Sequence, residues 1–342
     1  MKKLHITLLL IVTILMFFAG GVYYFLLSPI GRGECSHYIY IDRDDTKDSL
    51  IHKLSTVEPR QTLGIEWLWK ITDATPRCGK YEVNPHQTSI EIFRMLRNGQ
   101  QIPIKLVITP AWTVERMASR IANQLMVDSA ELVNCLNDSA TLALMNCTKE
   151  TLPAHFIPNT YEVYWNITPQ QFVNRMEREY KRFWTAERLQ KAMRLGMTQH
   201  EVSTLASIVC RETNNVPEMS IIAGLYRNRM KRKMPLQACP TVIFARQDFT
   251  ITRLTNPTEP DSPYNTYRYL GLPPGPIFIP PISAIEAVLN AETHNYLYMC
   301  AKEDFSGTHN FASTLTTHQR NAKKYQRAYK QRFKKTKWLP KN

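Results

Sequence analysis

The chain has 342 residues, 44% of them hydrophobic and 21% charged, which is enough for one large core or two modest ones and too apolar for a disordered chain. Its 43 Lys and Arg against 29 Asp and Glu give a formal net charge of +14, a balance that admits nucleic acid, anionic lipid or an acidic polymer as partner. Seven cysteines, at 35, 78, 135, 147, 210, 239 and 300, follow no paired CxxC spacing, so no metal site is expected.

In chain order, Met1-Lys2-Lys3 is basic, and residues 4–30 contain no Lys, Arg, Asp or Glu. A helix of roughly 25 residues rising about 1.5 Å each crosses a hydrocarbon core of about 30 Å. Tyr23 and Tyr24 suit an interfacial belt. The stretch is longer than the roughly 7–15-residue apolar region of a cleaved signal peptide, so residues 1–30 read as a cytoplasmic stub and transmembrane anchor. Lys2 and Lys3 keep the N-terminus inside, which makes the expected address the cell inner membrane, single-pass, with the bulk periplasmic. An exported setting permits disulfides, with Cys135–Cys147 and Cys35–Cys78 as possible pairs.

Tyr38-Ile39-Tyr40-Ile41 alternates as a strand does, and Thr46 to Ser49 opens a helix. Residues 79–83 read as a turn and strand, and residues 88–96 as a helix. Thr88 and Glu91 form its capping box and Asn98-Gly99 its stop. Residues 103–108 return as a strand, completing a small α+β subdomain over 35–108 with no catalytic constellation. The remainder, 109–337, reads as a mixed α+β domain. It has helices at 113–125 and 128–136, a Pro-punctuated loop at 156–161, one long helix over 169–195, and another helix from about Thr198. Residues 323–337 form a basic last helix, which together with Lys231-Arg232-Lys233 suits anionic headgroups or wall polymer, or is simply a solvated face.

One carboxylate is out of place. Val202, Leu205, Val209 and Glu212 fall at i, i+3, i+7 and i+10, a single helical stripe. Its first three members are apolar, so Glu212 extends a buried face near a helix end, where Asn214, Asn215 and Pro217 stop the turn. Partial desolvation there raises a carboxyl pKa and suits a general acid. A Glu paired with an Arg at a helix end is the bland alternative. Downstream, four stiffened loops carry Tyr, Asn, Gln and His, at 236–242, 262–267, 271–276 and 307–311. Amides and hydroxyls bond to sugar hydroxyls, and aromatic rings cover the apolar faces of sugars.

Leu205-Ala206-Ser207-Ile208-Val209-Cys210-Arg211-Glu212-Thr213 resembles the catalytic helix of the YceG-like endolytic murein transglycosylases (the MltG family). The similarity continues through residues 223–230, 236–242, 262–267, 271–277 and 296–298 and His309-Asn310-Phe311, and runs more weakly back to Gly79-Lys80-Tyr81. The resemblance implies a single-span anchor, a LysM-like subdomain, and a catalytic domain in which Glu212 is both acid and base. It also implies Gln237, Tyr264, Asn265 and Tyr267 as groove residues, peptidoglycan glycan strands as substrate, and peptidoglycan synthases as candidate partners. No metal or organic cofactor is implied. The chain departs from the commonest pattern at Cys210, where many members carry an acid, and at Cys239, where many carry Asp.

The chemistry expected from the resemblance is cleavage between MurNAc and GlcNAc to a 1,6-anhydroMurNAc end, ending strand elongation. It needs one carboxyl group, whereas hydrolytic glycosidases use two. Asp261 and Glu218 are the candidates for a second acid, and both read as surface or capping residues. A non-catalytic, membrane-tethered peptidoglycan-binding module is the alternative of a different class. A tethered nucleic-acid binder is a third, without a recognisable nucleic-acid fold to support it.

Overall fold

The computed structural model describes residues 2–31, 33–57, 62–72, 74–251 and 254–334, so the end of the expected basic helix, to Lys337, lies outside the described residues. The chain is mixed α+β and divides into two compact units.

The first unit comprises Met1–Leu106, Asn123–Val127 and Tyr161–Thr168. It opens with α1 (Lys2–Val22), continued by a π turn over Tyr23–Leu27. Leu4–Leu27 is long and apolar enough to cross a membrane, a property that anchors and signal sequences share. Strand β1 (His37–Ile41) leads to helices α2 (Lys47–Val57) and α3 (Thr62–Ile71), and β2 (Gly79–Val83) then pairs antiparallel with β1. Alternation turns Ile39, Ile41, Tyr81 and Val83 inward. Leu50, Leu54, Ile65 and Trp69 from the two helices pack in the same core. Helix α4 (Ser89–Asn98) adds Ile92, Phe93 and Leu96. Its Thr88–Glu91 capping box forms as expected, and Gly99 closes it at φ 69°. Strand β3 (Pro103–Val107) pairs with β4 (Thr160–Tyr164).

The second unit comprises Val107–Ala122, Asp128–Thr160 and Pro169–Asn342. Helices α5 (Val114–Ala122) and α6 (Ser129–Asn137) match the expected segments, and a short α7 (Ser139–Leu144) follows. The single long helix expected over 169–195 is two helices, α8 (Pro169–Phe183) and α9 (Ala186–Leu195). Thr185 is extended and its hydroxyl accepts from Arg188 N, starting a new helix, while Trp184 is only 4% exposed. Gly196 ends α9 in the left-handed region.

At the centre lies α10 (Gln199–Glu212), opened by a Thr198–Glu201 capping box. Every residue from Val202 to Cys210 is buried, so the helix is enclosed all round and is not merely buried along one stripe. Two of its buried polar side chains are satisfied: Thr204 donates to His200 O and Ser207 to Thr204 O, while Ile277 N donates to Ser207 Oγ; the Ser203 hydroxyl is buried without a partner. Helices α11 (Val216–Lys231), α12 (Cys239–Arg246) and α13 (Ile282–Leu289) pack against it. A hairpin of β5 (Tyr298–Ala301) and β6 (His309–Ala312) and a last helix α14 (Leu315–Lys334) complete the unit.

The disulfide pairs admitted by the sequence do not form: all seven cysteines are free thiols. Cys78 Sγ instead lies 3.2 Å from Met126 Sδ.

Candidate active site

Glu212 is the last residue of α10, and α11 starts only four residues later and runs back past it. The close approach of α11 to the backbone of residue 292 requires glycine at position 224, because a Cβ there would collide with the Glu292 carbonyl oxygen. Tyr226, two residues further along, donates its hydroxyl to Glu212 Oε1 at 2.9 Å. Oε2 takes no hydrogen bond from any described residue and is left for a ligand. A cleft of about 350 Å³ opens there, with Glu212, Tyr226, Arg229, Gln237, Tyr267 and His309 among its lining. A larger cavity of about 550 Å³ lies in the first unit between α1 and α3. Its walls are mostly apolar and its one carboxylate, Glu66, is paired with Lys70, so chemistry favours the smaller cleft.

Three of the four stiffened loops meet at this cleft. Gln237 N donates to Thr266 O at 3.1 Å, Ala238 N to Thr266 Oγ1 at 3.1 Å, and the Thr241 and Thr266 hydroxyls lie 2.9 Å apart. These bonds tie loop 236–242 to loop 262–267. Gln237 is held in the left-handed region at φ 54°, a strained conformation for a residue with a Cβ. The fourth loop supplies His309. Loop 271–276 contributes nothing to the cleft lining; it leads to Ile277, which is tied to Ser207 in mid-helix.

Of the residues named from the sequence, Glu212, Gln237 and Tyr267 line the cleft together. Asn265 is fully buried with its amide saturated. Nδ2 donates to Pro257 O and Pro260 O, and Oδ1 accepts from Tyr267 N. It shapes the loop that presents Tyr267 and is not open to a ligand. Tyr264 packs on Phe244 at 4.8 Å between ring centroids and is not among the lining residues.

Glu218 corrects an expectation. It is neither a surface nor a capping residue: it is 7% exposed, and Oε1 accepts from His309 N at 2.6 Å. Oε2 accepts from His309 Nδ1 and from the Thr213 hydroxyl, each at 3.1 Å. A carboxylate can only accept, so His309 donates from Nδ1 and leaves Nε2 unclaimed. Asp261, by contrast, is the exposed residue expected, paired with Arg268 and accepting from Tyr269.

Burial pushes the Glu212 carboxyl pKa up, while the Tyr226 hydrogen bond and the charge of His309 pull the other way. Burial also holds Tyr226, Tyr267 and the Cys239 thiol above their ordinary values. Cys239 Sγ lies 3.2 Å from the Tyr267 hydroxyl, and a thiol kept protonated in this way is a poor nucleophile. Glu212 is the one carboxylate lining the cleft among the described residues, beside the hydrogen-bonding groups of Tyr226, Gln237 and Tyr267, the His309 imidazole and the Arg229 cation. Such a site can give and take back a proton at one atom.

Tyr226, Arg229 and His309 are not among the residues expected from the sequence, although all three lie in the stretches that carry the family resemblance. A signal existed for the first two. They are three residues apart on α11, so they share one face of a helix that is otherwise largely apolar there.

The profile of the YceG-like family matches residues 39–324. A Bacillus subtilis protein named endolytic murein transglycosylase is 26% identical over 264 residues, covering 73% of this chain and 73% of its own length. A Streptococcus pneumoniae protein of the same name is 27% identical over 281 residues, and there the match spans 72% of this chain and 50% of the relative. The crystal structure of a yceG-like protein from Listeria monocytogenes is similar with a TM-score of 0.58 at 27% identity, covering 83% of this chain and 98% of that one.

Proposed function

The chain belongs to the YceG-like family, and on that premise we propose that it is an endolytic lytic transglycosylase acting on peptidoglycan glycan strands. The observation that carries the reading is a single carboxyl group, Glu212, with its pKa raised by burial and one oxygen left for a ligand. In the protonated form Glu212 gives its proton to the glycosidic oxygen as the bond from C1 of MurNAc breaks. The C6 hydroxyl of the same sugar then attacks C1, and its proton returns to Glu212. The ring closes as 1,6-anhydroMurNAc, GlcNAc leaves with a free 4-hydroxyl, and no water is consumed. Tyr226 holds Oε1 and steadies the carboxylate between the two transfers. Gln237 and Tyr267 are read as sugar contacts.

The wider assignment rests on the same premise. Residues 1–30 are read as a single-pass inner-membrane anchor with the catalytic unit in the periplasm. Residues 35–108 are read as a LysM-like subdomain, supported by the order β1–α2–α3–β2 with antiparallel strands. Residues 109–337 are read as the catalytic domain. Nascent strands are the proposed substrate, and peptidoglycan synthases the proposed neighbours.

The deciding experiment is mass spectrometry of glycan products after uncrosslinked peptidoglycan is incubated with the wild-type chain and with Glu212→Gln. Ends bearing 1,6-anhydroMurNAc from the wild type alone are the expected result. Reducing MurNAc ends point to a water-using muramidase. Binding without cleavage by either protein points to a non-catalytic wall-binding module.

A further inference from the structure

Arg229 presents a charge that the proposed reaction does not use. It lies on α11 three residues beyond Tyr226, is 8% exposed, and lines the cleft. Nη1 donates to Leu236 O at 2.6 Å and Nη2 to Gln237 Oε1 at 3.1 Å. Both acceptors are neutral, and no described carboxylate lies within ion-pairing distance of the guanidinium. Its Nε is buried and has no partner.

A second group of the same cleft is also unsatisfied. His318, on α14, has a buried Nδ1 with no partner. Its ring stacks on Tyr298 at 5.4 Å, and the Arg229 guanidinium lies 5.6 Å from the centroid of that same ring. The Tyr298 ring thus relates two orphaned polar groups of one cavity. Glu212 is the one carboxylate among the described lining residues, and it forms no ion pair with Arg229; its open oxygen sits beside Tyr226, and burial raises its pKa and those of Tyr226, Tyr267 and Cys239. A desolvated cation with no ion-pair partner and an orphaned N–H is unfavourable until an anion meets it.

Building on the glycan-cleavage reading, we infer that Arg229, with His318 beside it, forms a subsite for a carboxylate carried by the glycan strand. Hydroxyl and acetamido groups of such a strand are neutral. Carboxylates come from two sources: the lactyl group of a muramic acid that carries no stem peptide, and the stem peptide itself. Either supplies the planar two-oxygen acceptor that a guanidinium recognises.

The test uses the full chain in detergent micelles carrying Glu212→Gln, so that binding is measured without turnover. Four probes are titrated at fixed ionic strength. They are a peptide-free GlcNAc–MurNAc tetrasaccharide, the same sugar with its lactyl carboxylates converted to methylamides, the stem-peptide-bearing tetrasaccharide, and chitotetraose. The expected result is that a carboxylate-bearing probe binds roughly tenfold or more tightly than the methylamide and chitotetraose, as expected for a charge-assisted pair. Preference for the peptide-free acid assigns the lactyl carboxylate, and preference for the peptide-bearing sugar assigns the stem. Adding Arg229→Gln, with folding checked by its melting temperature, is expected to abolish the preference. Equal binding of all four probes with Arg229 intact overturns the inference and leaves glycan recognition standing. Binding of none of them overturns the glycan reading and this inference with it.

Discussion

At the residue scale, the proposed reaction turns on a proton held at one atom. Glu212 must be protonated to act as an acid, and burial raises its pKa, so kcat/KM is expected to fall as pH rises through that raised value. The Tyr226 hydroxyl bonds to Glu212 and stabilises its charged form. Tyr226→Phe should therefore move the alkaline limb of the pH–rate profile to higher pH and lower kcat roughly tenfold. The same shift makes a stability prediction. A carboxyl whose folded pKa exceeds its unfolded one loses stabilisation as pH rises from the unfolded value, near the ordinary 4.5, up to the folded value. The melting-temperature gain of Glu212→Gln over wild type should thus be larger at pH 8 than at pH 5. Glu218 positions His309 at the cleft by two hydrogen bonds. Glu218→Gln places an amide donor against at least one of the three donors that the carboxylate now accepts, and a roughly 10²-fold loss of kcat/KM is expected from the displaced imidazole.

Helix boundaries show how local chemistry overrides periodicity at the scale of elements. The amphipathic pattern of 169–195 runs on without interruption, yet Thr185 caps a new helix because its hydroxyl satisfies the Arg188 N–H. Thr198 does the same for α10, with Glu201 returning the bond. Thr198→Ala should cost about 1 kcal/mol of stability, read as a melting-temperature drop of about 2–4 °C. Three elements are tied together away from the cleft. His155, in a short turn after α7, contacts Glu177 of α8 through Nδ1 at 3.1 Å and His200 of α10 through Nε2 at 3.1 Å. His155 also stacks on Tyr180. Burial first, then the charges of His200 and Lys181, push the His155 pKa down to about 3 from 6.5. Between those values the unfolded chain takes up a proton that the folded chain refuses. Stability is therefore fully present above about pH 6.5 and is lost as pH falls toward 3, by a few kcal/mol at about 1.4 per pKa unit. His155→Asn should flatten the acid limb of melting temperature against pH in that window.

Across the whole molecule, chain segments far apart in sequence are brought to one carboxyl group. Seven free thiols are expected on titration in denaturant without reductant, since no pair is joined; fewer would mean a disulfide formed on export. The helix end bearing Glu212, the α+β class and the long apolar N-terminal helix were all legible in the sequence, because each follows from local periodicity and capping. The family resemblance pointed to Gln237 and Tyr267, and both line the cleft. What the sequence could not separate was Tyr267 from Asn265, two residues apart on one loop. Three backbone bonds saturate Asn265 in the interior and turn Tyr267 to the cleft. Nor could it distinguish a surface Glu218 from one clamped on His309, 91 residues away. Hydrophobic spacing and caps along the chain marked many of its helical segments and apolar faces, but not the break at Thr185 or the full enclosure of α10. Which polar side chains are satisfied, and which are left facing a ligand, depended on partners contributed by distant segments, so only tertiary packing decided it.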